Sequence, residues 1–118
     1  MADQNQISIE NRGGLSILDI EGDVTSGSEP IFMEAYKHPD VDGVGKILLK
    51  FDESSYINSG GIAVLIQLLA ETKRKDQKVG ITGLSDHFKK IFHMVGITRF
   101  AYIYTSMDEA LKSMGCEL

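Results

Sequence analysis

Hydrophobic and polar residues change rhythm several times along this chain, and each change marks an element. Ile7 and Ile9 alternate with polar neighbours, Asn11-Arg12-Gly13-Gly14 reads as a turn, and residues 15–20 form a second apolar run. The chain therefore opens on an antiparallel hairpin. Residues 22–29 are polar and turn-like. Pro30 suits a first helical turn, with Ser28 or Glu29 near the cap and Ile31, Phe32, Ala35 and Tyr36 as the apolar stripe. His38-Pro39 closes that helix, and 40–45 is loop. Residues 46–52 are almost continuously apolar between turn residues, as in a strand buried on both faces.

After a polar connection over 53–58, Ile62, Leu65, Ile66 and Leu69 recur at helical spacing, widened by Val64 and Leu68. This predicts a largely buried helix from Ser59 or Gly60 to about Arg74. Residues 79–84 form another strand. Ser85 caps a helix with the stripe Phe88, Ile91, Phe92 and Val95, which Gly96 terminates. Residues 101–104 are a last short strand. Ser106 and Glu109 then form a capping box before a helix that buries Met107, Ala110, Leu111 and Met114. The order β-β-α-β-α-β-α-β-α implies an α/β fold, with a mostly parallel sheet of about five strands, one antiparallel edge strand and four helices.

Composition agrees with one globular domain over residues 1–118: 42% of residues are hydrophobic and 25% charged. The formal net charge of −5 argues against direct nucleic-acid binding, which needs a basic face. Lys73-Arg74-Lys75 reads as a solvated helix end favoured by the dipole. The single cysteine, Cys116, leaves no internal disulfide to form. No apolar run reaches the ~20 residues that span a bilayer, and MADQNQ does not resemble a signal peptide. The expectation is a cytoplasmic protein without a membrane partner.

In open α/β sheets, ligands and partners gather on the loops that follow the strands. Here the loop 52–61 stands out, with three serines, an asparagine and two successive glycines. Gly60-Gly61 in a first helical turn costs about 1 kcal/mol of propensity per residue against Ala. Two readings stay open: a close backbone approach, or a tight turn that only aims the helix. Ser59 likewise has two readings. A serine there is most often an N-cap, and the same location also suits a phosphoserine, whose charge the helix N-terminus favours. A nucleophile would need a general base. His38 sits at a helix end, while His87 and His93 lie off the apolar stripe of a different helix. Ile57-Asn58-Ser59-Gly60-Gly61 is also not a G-x-S-x-G elbow. No P-loop, dinucleotide fingerprint, calcium loop or zinc spacing is present. The chain reads as a binding module that uses no cofactor or metal, not as an enzyme.

Residues 47–52 (ILLKFD) and 56–65 (YINSGGIAVL) resemble the signature of STAS domains, the family of anti-sigma factor antagonists and of the cytoplasmic domains of sulphate transporters. Gly22-Asp23, the block 80–84 (GITGL), the block 92–97 (FHMVGI) and the block 106–111 (SMDEAL) resemble further family blocks in order and spacing. The resemblance covers essentially the whole chain. It implies an anti-sigma factor antagonist, switched by phosphorylation, whose partners are an anti-sigma factor that is also a serine kinase and a PP2C-type phosphatase. It implies Ser59 as phosphoacceptor and Asp23, Thr25, Tyr56, Asn58, Ser59, Gly60 and Gly61 as the partner-binding surface. Three positions depart from the pattern: Asn58 stands for an aspartate, Gly60 for a second small hydroxyl residue, and Thr25 for a further aspartate. An unphosphorylated scaffold, or a module binding a small anionic ligand or nucleotide at the same helix mouth, is the competing reading.

Overall fold

Two glycines decide how the sheet begins. In the computed structural model, which describes residues 5–115, Gly13 and Gly14 both have positive φ (53° and 91°) and join two seven-residue strands through a two-residue loop. Such a loop needs left-handed backbone at both positions, which glycine adopts without a Cβ penalty. The strands are β1 (Gln6–Arg12) and β2 (Leu15–Glu21), paired antiparallel with Arg12 opposite Leu15. Strands β3 (Lys46–Lys50), β4 (Lys78–Thr82) and β5 (Tyr102–Ile103) then add in parallel, giving the spatial order β1-β2-β3-β4-β5.

Because each parallel crossover moves one strand further in the same direction, crossovers of one hand place their helices on one face. That face carries α1 (Glu29–Tyr36), α2 (Ser59–Arg74) and α3 (Asp86–Met94). The main core forms there, from Leu18, Ile20, Ile47, Leu49, Val79 and Ile81 of the sheet and from Phe32, Leu65, Leu69 and Phe92 of the helices. Helix α4 (Met107–Ser113) closes the opposite face over Leu15, Ile17, Leu48 and Tyr104. Strand β3 is buried on both faces through Ile47, Leu48 and Leu49, as its continuous apolar run requires. The fold is the mixed, mostly parallel five-stranded α/β architecture with four helices that the periodicity predicts.

Several boundaries differ from the sequence reading. Polar residues before α1 wind into a single 3-10 turn, Ser26–Ser28, capped by the Thr25 hydroxyl. The buried stripe of α2 centres on Val64, Leu65, Leu68 and Leu69, with Ile62 and Ile66 at its margin. Val95 is 45% exposed rather than part of the α3 stripe, because it is the C-cap, where the chain leaves helical phase. Ser106 caps α4 by accepting the Glu109 N–H. The Glu109 carboxylate, however, accepts from the N–H and hydroxyl of Thr105 rather than from the Ser106 N–H, so the box is shifted by one residue. Cys116 lies outside the described residues.

Candidate functional site at the mouth of helix α2

Strands β2 and β3 are parallel neighbours, so the loops leaving their C-terminal ends emerge side by side. They are sewn together. The Val24 N–H donates to the Tyr56 carbonyl at 2.9 Å, and the Asn58 N–H donates to the Val24 carbonyl at 3.1 Å. These bonds make a one-residue parallel bridge between Val24 and Ile57, both fully buried. Asp23 adds a third stitch, its carboxylate accepting the Tyr56 N–H at 2.9 Å. Asp52 spends its own carboxylate on the Ser54 N–H (2.9 Å) and hydroxyl (3.0 Å), and these two donors, the N–H foremost, hold its pKa below the ordinary carboxylate value. Ser54 is thereby committed to a local turn.

The first turn of α2 rises against this seam, which settles the role of the two glycines. Neither has positive φ. A Cβ on Gly61 would sit 2.1 Å from the Val24 carbonyl oxygen, and one on Gly60 would sit 2.9 Å from the backbone nitrogen and Cβ of Ser26. The requirement is therefore close approach of the β2–α1 loop to the helix. Gly61 is buried and Gly60 half-buried, so their part is to pack the mouth.

Asn58, not Ser59, is the N-cap. Its backbone is extended (φ −90°, ψ −179°) and its side-chain oxygen accepts the Gly61 N–H at 2.8 Å. Ser59 is already the first helical residue, exposed, and its hydroxyl makes no hydrogen bond among the described residues. The side chain at the positive end of a sixteen-residue helix is thus not consumed by the fold. No histidine bonds to it among the described residues. His87 and His93 are exposed, and His38 accepts the Asp40 N–H at the far end of α1.

Beside Ser59, Tyr56 is 58% exposed and meets the Phe88 ring edge-on at 5.7 Å, with His87 packed on the same Phe88 at 5.0 Å. Thr25 is half-buried, its hydroxyl accepting the Gly27 N–H at 3.1 Å. Of the seven residues singled out from sequence, the fold brings all seven onto this one seam. Sequence reasoning missed what holds it from behind. Asn5, buried ahead of β1, donates to the Glu21 (3.1 Å) and Asp23 (2.9 Å) carbonyls and accepts the Ser28 hydroxyl, which in turn accepts the Thr25 N–H. A lone polar residue before a strand carries no periodic signal that would reveal this.

The family model described as the STAS domain matches residues 6–110. The chain belongs to the STAS family. All five strands and the two loops that form the seam fall inside the STAS match. No curated protein matches the sequence. Among solved structures, this STAS chain is similar to an anti-sigma factor antagonist from Mycobacterium paratuberculosis, at 18% identity and a TM-score of 0.74 over 93% of each chain. It is also similar to a proposed anti-sigma factor antagonist from Thermotoga maritima, at 16% identity and a TM-score of 0.71 over 91% of this chain and 92% of that one. At these identities the likeness is one of fold. Among the described residues, no helix is long and apolar enough to cross a membrane.

Proposed function

We propose that this STAS domain is an anti-sigma factor antagonist whose α2 mouth binds an anti-sigma factor and is switched by phosphorylation of Ser59. The observation that carries the reading is the division of labour at the helix start. Asn58 caps, and the exposed Ser59 hydroxyl is left unbonded at the positive helix end. A phosphoryl group on that oxygen gains from the helix dipole and disturbs no existing hydrogen bond, so it changes the surface and not the fold. Tyr56, Asp23, Thr25 and Asn58 surround it as the contact surface, over the packed Gly60 and Gly61. The unmodified surface holds the anti-sigma factor, which is also the serine kinase, and so releases a sigma factor in the cytoplasm. Two added charges at the centre of that contact break it, and a PP2C-type phosphatase restores it. The domain itself performs no catalysis in this scheme.

The test is incubation of the full chain with its cognate kinase and ATP, followed by phosphosite mapping. Label on Ser59 is expected; label only on Ser54 or Ser55, or none, refutes the assignment. Ser59→Asp is expected to abolish partner binding while leaving the thermal midpoint within a few degrees of wild type.

A further inference from the structure

Among the described residues the sheet ends at β5, and the Ser59 mouth makes no use of that edge. The pairing Gly80↔Tyr102 and Ile81↔Ile103, with the Tyr104 N–H donating to the Ile81 carbonyl at 2.7 Å, turns the backbone groups of Tyr102 and Tyr104 inward toward β4. By strand alternation the N–H and C=O of Ile103 point outward along the open edge. Beside this edge lies a groove of about 690 Å³, walled by Lys89, Lys90, His93 and Met94 of α3 and floored by Tyr102 and Ile103. Met94 (80%) and Tyr102 (62%) are among the most exposed large hydrophobic side chains of the described residues.

Charge is segregated here as well. A second cavity, of about 470 Å³, shares Thr98 and Tyr102 with the groove and brings Lys46, Lys78 and Arg99 to the same strand. Among the described residues, neither lining contains a carboxylate, in a chain whose formal net charge is −5. Lys89 has Asp86 at 3.6 Å and acts on Glu109, but Lys78, Lys90 and Arg99 have no ion-pair partner among the described residues.

We propose that the β5 edge docks an extended acidic segment of a partner protein, which adds as a further strand through the outward N–H and C=O of Ile103. Alternate side chains of such a segment fall on the α3 wall and on the Tyr102 side. Cations flank both, and Met94 and Tyr102 offer apolar contact for its aliphatic residues. Short, lysine-flanked edges also guard a sheet against self-pairing. A guard has no use for an apolar groove with a methionine four-fifths exposed, whereas a docking strand has. None of the groove's lining residues is among those that form the Ser59 mouth.

The test is a titration of the full chain against the fluorescent, end-blocked peptide EVEIEVE and its basic counterpart KVKIKVK, read by anisotropy at low and high salt. Amide shifts and exchange are followed on ¹⁵N-labelled protein. The acidic peptide is expected to saturate and the basic one not. Binding is expected to weaken with salt, to slow exchange at the Ile103 amide, and to fall by about tenfold in the double variant Lys89→Glu, Lys90→Glu. Met94→Asp, a surface change, is expected to weaken it too, and Ser59→Asp to leave it unaltered. Equal binding of both peptides, amide changes confined to the Ser59 mouth, charge reversal without effect, or binding to phosphatidylglycerol vesicles but not to the peptide would each overturn the proposal.

Discussion

Replacing Gly61 with alanine sets two effects of opposite sign against each other. Helix propensity alone makes Gly61→Ala stabilising, by up to about 1 kcal/mol. The added methyl, however, meets the Val24 carbonyl oxygen at 2.1 Å and its carbon at 2.6 Å, more than an ångström inside ordinary contact. That carbonyl cannot yield alone. It accepts the Asn58 N–H at 3.1 Å, and the Val24 N–H is tied to Tyr56 at 2.9 Å. Overpacking costs about 1–3 kcal/mol, and stretching two backbone bonds worth about 1 kcal/mol each adds to it. The net expectation is a loss of about 2–3 kcal/mol. For a chain of this size that lowers the thermal midpoint by about 10 °C. Gly60→Ala is milder, about 1 kcal/mol, because it meets the exposed Ser26 at 2.9 Å. Calorimetry and urea unfolding read both variants. A Gly61→Ala protein as stable as wild type, or more stable, would refute the close-approach account and leave the glycines as turn residues only.

The cap assignment separates two neighbours: Asn58→Ala is expected to cost about 1 kcal/mol and Ser59→Ala less than about 0.5, and urea midpoints in the reverse order would return the cap to the serine. Asn5→Ala strips partners from the Glu21 and Asp23 carbonyls and the Ser28 hydroxyl; a loss of about 2–3 kcal/mol is expected, with hydrogen exchange rising first at Val24 and Tyr56. The Thr105 N–H, and then its hydroxyl, hold the Glu109 carboxyl below its ordinary pKa of 4.5. The folded value is depressed, so this contribution is complete above the unfolded pKa and fades as the pH falls through the folded one. Glu109→Gln should therefore flatten the acid side of the stability profile, and an unchanged profile would show that this contact is immaterial.

How much of this was legible in the sequence follows from which signals are periodic. Strand β3, helix α2 and the opening hairpin were readable because burial imposes a repeat on many residues at once. Strand β5 spans only Tyr102–Ile103 rather than the four residues its apolar run suggested. The Ala101 N–H is already bonded to Ile97, and Thr105 is claimed by Glu109. The sequence points to Ser59 as the cap, but the residue before it, Asn58, also carries a capping acceptor and takes that place. The choice lies in which residue is extended and which already helical, a matter of one pair of dihedrals. The site was legible as a place, because an unusual loop follows the most buried strand. Its supports were not, because Asn5 and Val24 act through long-range hydrogen bonds that follow no repeat in the sequence.

That ranking bears on the proposed switch. The STAS pattern has an aspartate where this chain has Asn58, and asparagine caps a helix about as well as aspartate does. The bond to Gly61 shows the cap retained. What the exchange removes is a negative charge adjacent to the Ser59 hydroxyl. For a phosphoryl group on Ser59 this lowers local repulsion, so the phosphorylated form should be less strained here than beside an aspartate. Asn58→Asp isolates the effect, because it keeps the acceptor and restores the charge. The unmodified variant is expected to be as stable as wild type, or more stable by about 0.5 kcal/mol through the helix dipole. The stability gained on phosphorylation should be smaller in the variant than in wild type. Equal gains in both would mean that residue 58 acts only as a cap, and that its charge plays no part in the switch.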